Sequence, residues 1–243
     1  MTAIQTVNLT KDFKGRRAVD NLSLTINEGE VFALLGTNGA GKTTAIKMLC
    51  CLLAPTSGDA LLLGDSILTS PDAVKQKINI SPQETAVAPK LSVVENLEFM
   101  ARIYGSDKHE ARARAEEMME ALRLTDRAKD RAKSLSGGLQ RRLSVAMALI
   151  SRPKVVFLDE PTLGLDVGSR RDLWETLNGI RGDTTIVLTT HYLEEAEAHA
   201  DRIAIMHAGK LQAIGTVQEL KQTAGKETFE DAFLALTGTE EQR

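Results

Sequence analysis

The chain has 243 residues, 42% hydrophobic and 26% charged, proportions that allow a substantial core and exclude disorder over most of the length. No apolar run approaches the ~18 residues of a membrane span; the longest are strand-sized, such as residues 31–35. A net charge of −3 and a pI near 5.9 weigh against nucleic acid as a partner, since phosphate-backbone affinity comes from clustered positive charge. Residues 1–5 carry neither a basic head nor an apolar signal core, so a cytoplasmic protein is expected.

In chain order, β-rich runs are predicted at 3–9, 22–26, 31–35 and 60–63, then at 155–158, 185–189, 203–206 and 211–214. Several are followed by segments of helical periodicity, the pattern of an α/β fold with a largely parallel central sheet. Residues 1–30 and 59–64 read instead as a small antiparallel layer, because turns such as Lys14-Gly15 and Asn27-Glu28-Gly29 separate strands without helices. Between about 85 and 150 strand signals nearly vanish, and 92–104, 108–122 and 139–150 read as the helices of an inserted subdomain. Glu110 and Arg114, like Arg112 and Glu116, lie four apart on the middle helix, as on a solvated ion-paired face. Phe229, Phe233 and Leu236 set an apolar stripe on a short helix before a frayed tail at 239–243. Cys50 and Cys51 are adjacent, so in a regular element their side chains diverge; small apolar fillers are expected rather than a disulfide, redox pair or metal site.

After the apolar run 31–35 comes Gly36-Thr37-Asn38-Gly39-Ala40-Gly41-Lys42-Thr43-Thr44, a P-loop pattern opening a helix through residues 45–49. Glycines there turn successive amide N–H groups toward a polyphosphate, and the helix dipole favours the anion. Lys42 then neutralises β/γ oxygens and Thr43 ligates Mg²⁺. Such a loop needs a second strand carrying an acid, and residues 154–160 supply an apolar run ending in Asp159 and Glu160. Asp159 is the Mg²⁺ candidate, and Glu160 is the candidate general base for an attacking water. His191, in Thr189-Thr190-His191 at the end of a further β-rich run, is placed to touch a γ-phosphate. A nucleotide-binding core is thus expected over 1–84 and 151–215, with the helical subdomain at 85–150 and a helical tail at 216–243, all in one domain.

Leu135-Ser136-Gly137-Gly138 precedes the helix from Leu139, so a serine hydroxyl and exposed amides converge on a second helix N-terminus. With this motif between the phosphate loop and the second acidic strand, the chain resembles the ABC transporter ATPases over nearly all of its length. The resemblance implies a P-loop NTPase, RecA-like core bearing an antiparallel β layer and an inserted helical subdomain. It implies ATP and Mg²⁺ as ligands, with Gly36, Asn38, Gly39, Ala40, Gly41, Lys42, Thr43 and Thr44 on the phosphates. It also implies Phe13 stacked on adenine, although that side chain alone fits a core equally well, and Gln83 as a switch-loop residue near Mg²⁺ and water. Asp166, in Leu163-Gly164-Leu165-Asp166, falls in the cross-subunit loop, and His191 on the γ-phosphate. Two cassettes of such proteins assemble head to tail, with ATP between the P-loop of one and Ser136, Gly137 and Gly138 of the other.

Leu139 stands where most of the family has glutamine, and residues 189–197 and 228–233 are, like it, similar to the type-two exporter branch. Thr37 replaces the more common proline, which relaxes the loop slightly. The resemblance therefore implies an ATPase subunit on the cytoplasmic membrane face. Its partners would be a separate permease, touched through 84–104 with Phe99 and Tyr104, and a second identical or nonidentical cassette, with no nucleic acid. The alternative, a soluble cassette of DNA repair or translation, fits less well with one cassette and a short insertion. A GTPase lacks its Asn-Lys-x-Asp sequence here.

Overall fold

The computed structural model describes residues 1–238; the tail expected at 239–243 lies outside them. In chain order the elements are β1 (Thr2–Phe13), β2 (Arg16–Leu22), β3 (Thr25–Asn27), β4 (Val31–Leu35), α1 (Lys42–Leu49), β5 (Ser57–Leu62), β6 (Asp65–Ser66), α2 (Pro71–Lys77), β7 (Ile78–Ser81) and α3 (Val93–Ile103). There follow α4 (Lys108–Ala121), α5 (Gly137–Leu149), β8 (Val155–Asp159), α6 (Val167–Gly179), β9 (Thr185–Thr190), α7 (Leu193–His199), β10 (Arg202–His207), β11 (Lys210–Gly215), α8 (Val217–Ala224) and α9 (Phe229–Thr237). They group into two compact units, Met1–Lys75 with the chain from Thr185 onward, and Gln76–Thr184. Strand β8 and helix α6 thus cluster with the helices, in a unit wider than the 85–150 segment expected from strand signals alone.

In the first unit β1 is the hub of an antiparallel layer: it pairs with β2, β3 and β5, and β5 pairs with β6. The expected single strand over 22–26 is instead the end of β2 and the start of β3. Asn21 takes a left-handed φ of 50°, and the Leu24 amide turns to the Thr6 hydroxyl at 2.9 Å rather than to a ladder carbonyl, so the backbone cannot run straight through. The second sheet of this unit is parallel where it matters. Strand β4 lies between β10 and β9, both parallel to it, and β11 closes the edge antiparallel to β10. Every residue of β4 is buried, as in a strand covered on both faces; each buried Val, Leu or Phe there contributes about 1.5–3 kcal/mol. On α9, Phe229 and Phe233 are buried and Leu236 half-buried, which realises the predicted stripe.

The second unit pairs β7 parallel to β8, with Ile80 opposite Phe157, and carries α3 to α6. Its helices start where the sequence offers an acceptor. Ser92 and Glu95 form a reciprocal capping box on α3, and Asp107 accepts from the Glu110 amide at 2.8 Å on α4. The ion pairs predicted on α4 form, Glu110 to Arg114 and Arg112 to Glu116, each at 2.7 Å. Cys50 is buried and Cys51 partly so, each a thiol rather than half of a disulfide.

Candidate active site

The first unit builds the phosphate loop by crowding. A Cβ on Gly36 would lie 2.3 Å from the Met206 carbonyl oxygen, and one on Gly41 2.4 Å from that of Ala18. Gly41 also has φ 102°, where a side chain is strained. The Ala40 amide donates to the Thr37 carbonyl at 3.1 Å, the Gly209 amide to the Ala40 carbonyl at 3.1 Å, and Arg16 to the Gly39 carbonyl at 3.2 Å. The loop is therefore held from the β1–β2 and β10–β11 turns as well as from within. Lys42 is 6% exposed, and its Nζ donates to Gly36 O at 2.7 Å and to Thr37 O at 3.3 Å, which fixes a cation inside the loop. Gly41 gives α1 no side-chain cap and the first turn has no acid, so no carboxylate there offsets the positive helix end.

Two other expected residues belong to this unit. Phe13, at the end of β1, is 48% exposed with Lys11 Nζ over its ring, 5.4 Å from the centre; it is not a core residue. His191 is exposed just beyond β9, its ring centroid 4.1 Å from that of Tyr192. Its turn is tied by the Tyr192 amide to Thr190 Oγ1 at 3.0 Å and by Thr190 Oγ1 to Glu195 Oε2 at 3.2 Å.

The second unit contributes the carboxylates and the second helix cap. Asp159 ends β8 at 2% exposure, and Glu160 follows at 5% with φ 53°, a left-handed conformation that costs an ordinary residue about 1–2 kcal/mol. The turn beyond closes through the Leu163 amide to Glu160 O at 3.2 Å. Ser136 caps α5 loosely, accepting from the Leu139 amide at 3.4 Å, while Ser136 and Gly137 face solvent. Asp166 caps α6: the Ser169 hydroxyl donates to it at 2.6 Å and the Ser169 amide at 2.9 Å, and in that order they hold its carboxyl below the usual range. Gln83 is exposed in the loop after β7. That loop is fastened by Asn96 of α3, fully buried, which accepts from the Ala88 amide at 2.8 Å and donates to the Ser92 carbonyl at 2.8 Å.

Sequence reasoning missed Arg141. It is 3% exposed on α5 and donates only to backbone: to Asp159 O, to Pro161 O at 3.2 Å, to Pro82 O and to Gln83 O at 3.4 Å. Burial pushes its guanidinium down to about 10, while the charges of Asp159 and Glu160 draw it back up. The signal lay in helical spacing, since Arg141, Val145 and Ala148 share the buried face of α5. Neighbouring Arg142 reaches Ser169 Oγ at 3.0 Å, the group that also binds Asp166.

The donors expected for a cation are the Thr43 hydroxyl, the Gln83 amide and the Asp159 carboxylate. They are all oxygens, which suits Mg²⁺. Among the described residues no group of three His, Cys, Asp or Glu forms a metal cage.

Comparison with known proteins extends these observations. The family described as ABC transporter matches residues 19–163. The daunorubicin/doxorubicin resistance ATP-binding protein DrrA of Streptomyces peucetius is 43% identical over 225 residues, 92% of this chain and 68% of that protein. This chain spans only about a tenth of the mammalian retinal-specific phospholipid-transporting ATPases it also matches. A solved ATP-binding subunit of an ABC transporter superposes with a TM-score of 0.89 at 26% identity, over 97% of this chain and 99% of the other. The dimeric ATP-binding cassette MJ0796 in a post-hydrolysis state with ADP and Pi superposes with a TM-score of 0.82 at 27% identity, over 88% and 98%.

Proposed function

The chain belongs to the ABC transporter family, and from that premise we propose that it is the ATP-hydrolysing subunit of an exporter whose membrane path lies in a separate permease. The observation that carries the reading is the phosphate loop: a buried lysine ammonium and an uncapped helix N-terminus, in a turn too tight for side chains at Gly36 and Gly41. No described helix is long and apolar enough to cross a membrane; in this reading the subunit is peripheral, on the cytoplasmic face.

In this reading the loop amides and Lys42 hold the β- and γ-phosphates of ATP, and Phe13 stacks on the adenine. Mg²⁺, when bound through Thr43, Asp159 and Gln83, would neutralise charge on the β- and γ-oxygens. Glu160 accepts the proton of a water that attacks the γ-phosphorus as the bond to the ADP oxygen breaks, and His191 steadies the γ-phosphate. Ser136, Gly137 and Gly138 of a second cassette cover that phosphate from the far side, so ATP joins the pair and hydrolysis releases it. Drug-resistance relatives such as DrrA support outward transport.

The permease surface is the outer face of α3. Phe99 is 54% and Ile103 59% exposed there, beside a groove of about 540 Å³ lined also by Leu91, Glu95, Glu98 and Arg102. Phe99 and Tyr104 are both exposed rather than packed in a core. The test is purification from native membranes: a polytopic partner that raises ATP turnover, with Lys42→Ala abolishing nucleotide binding, supports the reading. Co-purification with ribosomes or nucleic acid alone, or unchanged affinity in Lys42→Ala, refutes it.

A further inference from the structure

We propose that Arg141 is a positioning residue for hydrolysis, which fixes the Glu160 carboxylate and ties it to the Gln83 loop through the backbone. The inference rests on the reading of Glu160 as the base, and it concerns residues of the second unit only.

The case is geometric. Glu160 occupies a left-handed conformation that is kept only where its surroundings over-determine it. Arg141 grips the peptide plane that precedes Glu160, through the Asp159 carbonyl, and the peptide that follows Pro161, through the Pro161 carbonyl, so the turn is held on either side of Glu160. The other end of the same planar fork holds the carbonyls of Pro82 and Gln83. A guanidinium presents its N–H groups at fixed mutual angles, so a shift of the Gln83 segment is felt as a shift of the Glu160 turn. A purely structural arginine buried to 3% would be expected to find a carboxylate partner directly. Arg141 instead spends its donors on main-chain oxygens of the two segments that carry the proposed water-handling residues. Its charge stands near those of Asp159 and Glu160.

The consequence is a separation of binding from chemistry. In the proposed reading the loop of the first unit holds ATP, whereas a displacement of about 1 Å at the base costs about 10²-fold in rate. The test uses the full chain with Arg141→Lys, which keeps the charge but loses the fork, and Arg141→Met, which loses both. ATP affinity, steady-state hydrolysis and thermal unfolding are measured for each alone and combined with Glu160→Gln. The expected result is ATP affinity within about threefold of the parent and kcat lower by about 10²-fold in Arg141→Lys, with no further loss when Glu160→Gln is already present, because residues acting as one unit are not additive. Should Arg141→Met fail to fold, the lysine variant still decides. Parental kcat in Arg141→Lys overturns the inference, as does an equal proportional loss in the parent and Glu160→Gln backgrounds, which would mark a general lesion. If Glu160→Gln itself hydrolyses ATP like the parent, the reading of the base has failed and the inference falls with it; if Glu160→Gln is inactive and Arg141→Lys is not impaired, the inference alone has failed.

Discussion

Replacing Gly41 by alanine should damage fold and nucleotide binding together. The added Cβ would sit 2.4 Å from the Ala18 carbonyl oxygen and 3.4 Å from Val19 Cγ2, so either the β2 backbone or the loop must move. Gly41 also has φ 102° and ψ 0°, where an alanine is strained by about 1–3 kcal/mol. Overpacking against backbone adds about 1–3 kcal/mol, for about 2–6 kcal/mol in all. At the lower end, in a chain of this size, the melting temperature falls by about 4–8 °C. If even about 1.4 kcal/mol of the strain is relieved by opening the loop, ATP affinity drops about tenfold. Thermal unfolding by circular dichroism, paired with isothermal titration of ATP, reads both quantities. Parental melting and parental affinity would refute the claim that this glycine is required by conformation and close approach.

Gly137→Ala makes the opposite case, since Gly137 has no atom within 4 Å of an added Cβ and opens α5: folding and ATP binding should be unchanged, while hydrolysis, which needs close approach of a second cassette to the phosphate, falls at least tenfold in a steady-state phosphate-release assay. Phe13→Ala should leave the melting temperature within about 1 °C, given the 48% exposure of that ring, and weaken ATP binding by about 1–3 kcal/mol, the worth of one aromatic–base stack; a titration showing unchanged affinity removes Phe13 from the site. The carboxyl of Asp166 is held below its ordinary value of 3.8 by the Ser169 hydroxyl and amide. Because its folded value is the lower one, its support of α6 is fully present above 3.8 and is lost as pH falls through the depressed value. Carbon-detected NMR of that carboxyl should accordingly show a midpoint under the ordinary one in the parent, returning upward in Ser169→Ala, and an unshifted parent midpoint would contradict the cap.

Much of this was legible in the sequence because the residues concerned act locally. Glycine spacing, Lys42 and the apolar run before them specify a strand, a tight turn and a helix with little help from elsewhere. The caps Ser92, Asp107, Ser136 and Asp166 mark helix starts by their own chemistry, which is why α5 begins at Gly137, two residues ahead of the apolar periodicity. Strand β7 was not legible: Ile78–Ser81 is short, follows α2 directly and is a strand because β8 offers it a parallel partner. The start of β2 was equally hidden, since residues 16–20 are mostly polar and only Ala18 and Val19 among them are buried. Arg141 was missed for a related reason. In Gln140-Arg141-Arg142 it reads as one of several surface charges, and only the carbonyls that converge on it from 82–83 and 159–161 explain why a cation is buried there.

The central claim, that Glu160 is the hydrolytic base of a chain that closes on ATP as a pair, is tested most directly by Glu160→Gln with Mg·ATP on size-exclusion chromatography with light scattering, together with phosphate release. The account predicts an ATP-dependent dimer that persists through the column, with turnover at least 10²-fold below the parent, an expected scale for loss of a positioned base. A variant that stays monomeric with ATP and turns it over at the parental rate would contradict it.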